Sequence, residues 1–148
     1  MDSYERSVEI LRFCRRHHKL SMMMMRRNGL TAGQPPILDY LQEHDGCIQN
    51  ELSRSCHLEP ATITSILGTM ERDGLIERRA DPADRRVWQI HLTDAGRAAY
   101  QTLYRTSAQI GDICLEGFSR EETDAVLDFL RRMTENVRHT LWSEEHKE

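Results

Sequence analysis

The stretch from Ile48 to Leu92, "IQNELSRSCHLEPATITSILGTMERDGLIER" followed by "RADPADRRVWQIHL", leaves few folds open. A short amphipathic segment, about 49–55, contributes Leu52. A tight connection runs through Cys56, His57 and Leu58. Pro60 then suits the first position of a longer helix, where its missing N–H would be unbonded anyway. Ile63, Leu67 and Met70 form the apolar stripe of that helix, and Gly74 ends it. Short helix, tight turn, longer helix is the helix-turn-helix pattern. Leu75–Arg79 and Val87–Leu92 read as strands; in the second, Trp88, Ile90 and Leu92 alternate with Val87, Gln89 and His91. The six residues Asp81 to Arg86 between them form an exposed tip. A hairpin placed directly after a helix-turn-helix is a wing.

The flanking segments are helical. Tyr4, Val8, Leu11, Cys14, His18, Met22 and Met25 recur every three or four residues, which predicts a helix over about 4–26 stopped by Asn28-Gly29. Thr31 and Gln34 fit a capping box for a second helix over about 31–44. Pro35 and Pro36 conflict with that start, because proline lacks a donor and disfavours helix in the residue before it. A start at Pro35 is the other reading. Thr93 caps a long helix over about 94–116, with Ala99, Leu103, Ile110, Ile113 and Cys114 on its stripe. Ser119 and Glu122 form a capping box for a last helix over about 120–142, whose stripe is Val126, Leu127, Leu130, Met133, Val137 and Leu141. A small middle domain cannot cover three long apolar faces, so a helical partner surface is expected. The expected fold is mainly α with a small β-hairpin wing: one domain over 1–148, with a winged helix-turn-helix core at 31–96 flanked by dimerisation helices at 1–30 and 97–148.

The charge distribution matters more than its total of -4. Residues 1–30 hold seven basic and three acidic side chains, and residues 98–148 hold six and ten, so acid collects at the C-terminal end. Residues 60–97 balance six against six, and every base among them is arginine. Local fields decide a nucleic-acid footprint. No apolar run approaches the ~20 residues of a membrane span. The N-terminus lacks the basic-then-apolar order of a signal peptide, so a cytoplasmic protein with no membrane partner is expected. The four cysteines, Cys14, Cys47, Cys56 and Cys114, form no CxxC pair and read as buried thiols.

Arginine is planar, permanently charged and matched to phosphate oxygens or a narrow minor groove. Arg85 and Arg86 at the wing tip are therefore candidate DNA contacts, with Asp84 beside them to hold one guanidinium extended and Pro82 to stiffen the tip. A solvated turn with weak ion pairs is the other reading; its position after a helix-turn-helix favours DNA. Pro60, Ala61, Thr62, Thr64, Ser65 and Thr69 lie on the N-terminal or solvent side of the longer helix. Small hydroxyl residues permit close approach to base edges, and the helix N-terminus favours a phosphate. Arg54 and Arg72 are candidate backbone contacts. No Gly-rich phosphate loop, GxSxG or HExxH is present, so neither an enzyme nor a cofactor is indicated.

"LTAGQ" at 30–34, "ELSRSCHLEPATIT" at 51–64, "MERDGLIERRADPADRR" at 70–86 and "LTDAG" at 92–96 resemble the multiple antibiotic resistance regulator (MarR) family. The resemblance implies a homodimer built on the first and last two helices. It implies recognition helices in major grooves, wing arginines in minor grooves and a pseudo-palindromic double-stranded operator. By position it makes Asp84 and Arg86 the wing pair, with Arg85 beside them, and puts Thr62, Thr64 and Ser65 in the base-reading stretch. Two departures stand out: many members carry a basic residue near the positions of Ser65 and Thr69, so fewer phosphate contacts are expected there, and Pro35-Pro36 follows the "LT..Q" pattern.

The resemblance also implies a small-molecule effector, held between the dimer helices and the winged core, that relieves repression. His18, Met22 and Met25 share a face and are the candidate pocket residues, since Met makes an adaptable apolar wall. Core and interface packing is their other reading. Two alternative regulators of the same fold remain open. Cys14, near Arg15, Arg16, His17 and His18, could sense redox state. His44, Cys47, Cys56 and His57 are near enough in sequence to be weighed as metal ligands, though their spacing fits no motif. A winged helix used only for protein contacts is the remaining alternative.

Overall fold

The computed structural model describes residues 2–145, with side chains described through residue 143. Its contacts divide the chain into two units, residues 1–110 and 111–148. The first holds α1 (Ser3–Arg27), α2 (Gln34–Glu43), β1 (Cys47–Ile48), α3 (Gln49–Ser55), α4 (Pro60–Arg72), β2 (Ile76–Ala80), β3 (Trp88–Leu92) and most of α5 (Asp94–Cys114). The second holds the end of α5 and α6 (Arg120–Glu145). Mostly helical, with a small antiparallel sheet, the fold is the expected winged helix-turn-helix.

The core of the first unit is where the helix-turn-helix meets the sheet. Ile37, Leu38, Leu41, Leu52, Ile63, Leu67, Met70, Ile76 and Ile90 are fully buried. With seven residues, α3 is too short to persist alone. Burying Leu52, at roughly 1.5–3 kcal/mol for such a side chain, ties it to α4. The turn between them needs one residue in the left-handed region, and His57 supplies it at φ 51°. Ser53 Oγ closes the turn by donating to the Leu58 carbonyl at 2.6 Å.

Several expectations change in detail. The second helix starts at neither Thr31 nor Pro35 but at Gln34, with Gly33 as its left-handed N-cap at φ 88° and proline in the first turn. Half of the predicted capping box survives: buried Gln34 reaches back so that its Oε1 accepts the Thr31 N–H at 3.0 Å. A third strand, β1, was not expected. At two residues it carries no alternation to detect, and it exists because the Cys47–Ile48 backbone pairs with Ile90 and Gln89. The strand order is β1-β3-β2, so β3 is central. Both hairpin strands begin one residue later than predicted, with Ile76 opposite Leu92 and Ala80 opposite Trp88. Trp88 shares the face of buried Ile90 and Leu92 yet is 53% exposed, because it pairs with Ala80 at the outer end of the hairpin, beyond the core.

The cysteines are also corrected. Only Cys47 is buried; Cys14 is exposed, and Cys56 and Cys114 are half-buried. The expected Ser119–Glu122 capping box forms, and the start of α1 carries one that was not expected. Ser119 and Glu122 cap α6 reciprocally at 3.2 and 2.8 Å, and Asp2 with Glu5 caps α1. Among the described residues, no helix is long and apolar enough to cross a membrane.

Gly96 explains the glycine of "LTDAG". Thr93 Oγ1 accepts the Gly96 N–H at 3.0 Å and donates to the Gly74 carbonyl at 2.6 Å, which pins the start of α5 against the end of α4. A Cβ at position 96 would lie 2.0 Å from the Leu75 carbonyl oxygen. That backbone cannot move without disturbing the Leu75–Thr93 bond at 3.1 Å. Gly96→Ala is therefore expected to destabilise the protein by about 1–3 kcal/mol or more, the range of overpacking a tight site. Urea unfolding checks this; an unchanged midpoint would show that α5 can back away.

Candidate nucleic-acid interface

The predicted recognition face is open. Pro60, Ala61, Thr62, Thr64 and Ser65 are exposed on α4, while Ile63, Leu67 and Met70 on the opposite side are fully buried. Thr69 is half-buried, and its hydroxyl is occupied: it donates to the Ser65 carbonyl at 3.2 Å and accepts from Arg72 at 3.1 Å. Arg72 also donates from Nε to the Gly68 carbonyl at 3.3 Å, so it folds back along its own helix. Arg54 stands exposed in the last turn of α3.

The hydroxyls on α4 are not equivalent. Thr64 Oγ1 donates to the Pro60 carbonyl at 2.7 Å and accepts from Gln49 Nε2 at 2.7 Å. Its single proton is thereby committed, leaving an acceptor and a methyl group. Ser65 Oγ has no side-chain partner among the described residues and keeps both roles. Gln49 is a residue the sequence reading missed. It lies fifteen positions from Thr64, and no local pattern marks a contact at that separation.

At the wing, Arg85 and Arg86 are both exposed. Asp84 does not grip a guanidinium as expected. Its Oδ1 accepts the backbone N–H of Arg86 at 3.0 Å, and among the described residues it forms no ion pair. A short polar side chain bonding the backbone two residues on is an Asx-turn, which competes well at a hairpin tip. Asp84 therefore shapes the loop rather than the arginine side chain. Asp81, not singled out from sequence, does more of the same work: its Oδ1 accepts the N–H groups of Ala83 at 2.7 Å and Asp84 at 3.2 Å.

The base of the wing is held by Asp45. Its Oδ1 accepts the Leu92 N–H at 2.7 Å, and its Oδ2 lies 3.3 Å from both His91 Nδ1 and an Arg97 guanidinium nitrogen. Partial burial opposes ionisation of Asp45, but the Leu92 N–H, His91 and Arg97 outweigh it and hold the carboxyl below the usual carboxylate range.

The other candidate residues are not gathered as proposed. His18 and Met22 line an open depression on α1 with Lys19, Met23, Arg26 and Arg27, but Met25 does not join them. Met25 is 8% exposed and sits in the core near Leu30, whose N–H bonds its carbonyl. His44 stacks on Tyr40 at 4.2 Å, and the Cys56 thiol donates to the Pro36 carbonyl at 3.5 Å. Burial pushes the Cys47 thiol up to about 11, with the Glu51 carboxylate adding to it. Burial and Asp39 likewise raise Cys56. Such thiols resist the thiolate form a metal needs. Among the described residues, no three His, Cys, Asp or Glu side chains converge on a metal position.

A family model described as the MarR family matches residues 28–87, which span α2 to the wing tip. The chain is 31% identical over 99 residues to YsmB, an HTH-type transcriptional regulator of Bacillus subtilis, covering 67% of this chain and 68% of that protein. It is 29% identical over 107 residues to the HTH-type transcriptional repressor NicR of Pseudomonas putida, covering 72% and 68%. The chain thus spans about two thirds of the length of each relative. The crystal structure of a MarR-family transcriptional regulator from Silicibacter pomeroyi superposes with a TM-score of 0.67 at 27% identity, covering 86% of each chain. Motif order, family match and fold agree, and the chain belongs to the MarR family of transcriptional regulators.

Proposed function

We propose that the protein is a ligand-responsive repressor that binds a pseudo-palindromic DNA operator as a homodimer. In this reading residues 31–96 are the DNA-binding core, and 1–30 and 97–148 carry the dimer contacts. The exposed face of α4 enters the major groove, and Arg85 and Arg86 reach the adjacent minor groove. Arg54 meets the phosphate backbone. One observation carries the reading: α4 exposes a run of small residues at its N-terminal end while the β2–β3 hairpin that directly follows it exposes paired arginines at its tip. NicR, a similar protein, is a repressor by name. In this reading His18 and Met22, in the open depression on α1, contact the effector, and the protein acts in the cytoplasm.

Genome-wide footprinting with purified protein tests the proposal. Recovery of inverted repeats with half-sites about one helical turn apart is expected. On the recovered operator, Ser65→Ala should weaken specific binding more than binding to unrelated duplex, because base contacts specify while phosphate contacts position. Equal losses on both DNAs would remove Ser65 from base reading. Absence of any salt-dependent DNA binding would leave a winged helix used for protein contacts.

A further inference from the structure

The sheet face that carries Gln89 and His91 bears a line of side-chain contacts that runs from the wing tip to α5. At its outer end, Gln89 Nε2 donates to Asp81 Oδ2 at 2.7 Å. A carboxylate only accepts, so this bond settles which end of the Gln89 amide is nitrogen. The amide oxygen is thereby turned towards His91 Nε2, 3.4 Å away. His91 Nδ1 faces Asp45 Oδ2, and Asp45 is held in turn by the Leu92 N–H and Arg97. Gly46 makes room for the ring. At φ 87° it adopts a conformation that side chains rarely take, and a Cβ there would lie 2.9 Å from His91 Cε1.

The outer end of this line meets the loop that carries the arginines. The β2–β3 ladder stops at Ala80 opposite Trp88. Beyond it, the tip is tied by two backbone bonds, Asp81 N–H to the Val87 carbonyl and Val87 N–H to the Asp84 carbonyl, both 2.9 Å. The side chains of Asp81 and Asp84 add three more bonds to loop N–H groups. Gln89 is the side chain that fixes Asp81 to the sheet. Without it, the acceptor holding Ala83 and Asp84 would rest on the loop alone. An arginine presented from an ordered loop loses less freedom on binding than one from a mobile loop.

We infer that Gln89 and Asp81 are positioning residues for Arg85 and Arg86, and that the line through His91 to Asp45 and Arg97 ties the wing's pose to the start of α5. The inference rests on the reading of the wing as a DNA contact, and the test separates the two. It is a double-mutant cycle on the operator duplex recovered by footprinting, with Gln89→Leu, Arg86→Ala and the pair, measured by fluorescence anisotropy. Losing one net hydrogen bond predicts that Gln89→Leu weakens binding about three- to tenfold. In the Arg86→Ala background the same change should cost much less, because the group being positioned is gone. A second cycle replaces Gln89→Leu by Asp81→Ala, at a half-buried site outside the core, and covers the case in which Gln89→Leu folds poorly. Asp81→Asn is the rescue: it retains an acceptor for the loop N–H groups, and the Gln89 amide can invert to meet it. Near-normal affinity is expected there. Equal losses in both backgrounds, or no loss for Gln89→Leu and Asp81→Ala while Arg86→Ala binds weakly, would overturn the positioning role alone. Unchanged binding by Arg86→Ala would overturn the wing reading itself, and this inference with it.

Discussion

Replacing Leu130 and Val137 by glutamate is expected to turn the protein into a monomer and to lower operator affinity on the order of 100-fold or more, the scale of avidity lost when two linked sites become one. The expectation comes from α6 considered by itself. Leu127, Leu130, Met133, Val137 and Leu141 recur along one stripe of the helix, and all are exposed in the single chain, Val137 by 59%. A soluble chain rarely leaves so long an apolar stripe in water. On α1, Tyr4 and Leu11 of the predicted stripe are likewise exposed. Each such side chain contributes roughly 1.5–3 kcal/mol if fully buried, so a dimer covering several would be stable. Because Leu130 and Val137 are exposed, glutamate there opens no cavity within the chain, and only an interface would register the change. Light scattering at micromolar concentration should give twice 17.3 kDa for the natural protein and 17.3 kDa for the variant. A natural protein that is already monomeric and fully folded would end the dimer reading.

Arg86→Ala is expected to cost operator binding about 1–3 kcal/mol, the range of a good groove contact. Arg85→Ala should cost less if its side chain mainly meets phosphate. Asp84→Ala should also weaken binding, by a few-fold, although it removes a negative charge that would face DNA. A view based on net charge alone predicts the opposite sign. The reason for the loss is now specific: Asp84 Oδ1 holds the Arg86 N–H at 3.0 Å, so its removal loosens the backbone that carries the arginine rather than freeing a guanidinium. The three variants should keep their melting temperature, because the tip is exposed and remote from the buried core. Affinities at several salt concentrations check the prediction. Tighter binding by Asp84→Ala, or unchanged binding by Arg86→Ala, would remove the wing from the mechanism.

Elements set by local rules are legible in the sequence alone. Pro60 opens α4 because proline fits a first helical turn, and Thr93 and Ser119 cap helices because their hydroxyls meet free N–H groups. Ile63, Leu67 and Met70 are buried because a 3.6-residue period puts them on one side of α4. Exposure of Pro60, Ala61, Thr62, Thr64 and Ser65 follows from the same period. These features depend on residues three or four apart, and spacing reports them directly.

Features that depend on distant partners needed the folded chain. β1 has two residues and exists through its pairing with β3. Gly96 is glycine because the Leu75 carbonyl, twenty-one positions earlier, occupies the space of its Cβ. Thr64 loses its donor role to Pro60 and gains Gln49, while Met25 leaves the candidate pocket for the core. Asp84 bonds a backbone N–H where charge alone predicted a guanidinium, and Asp45 becomes the anchor of the wing through Leu92, His91 and Arg97. The sequence by itself determined the order of helices, the hairpin and the polar faces, because backbone geometry repeats over a few residues. Only the tertiary structure decided which polar atoms are already spent and which remain free, because a hydrogen bond acts at about 3 Å whatever the separation along the chain.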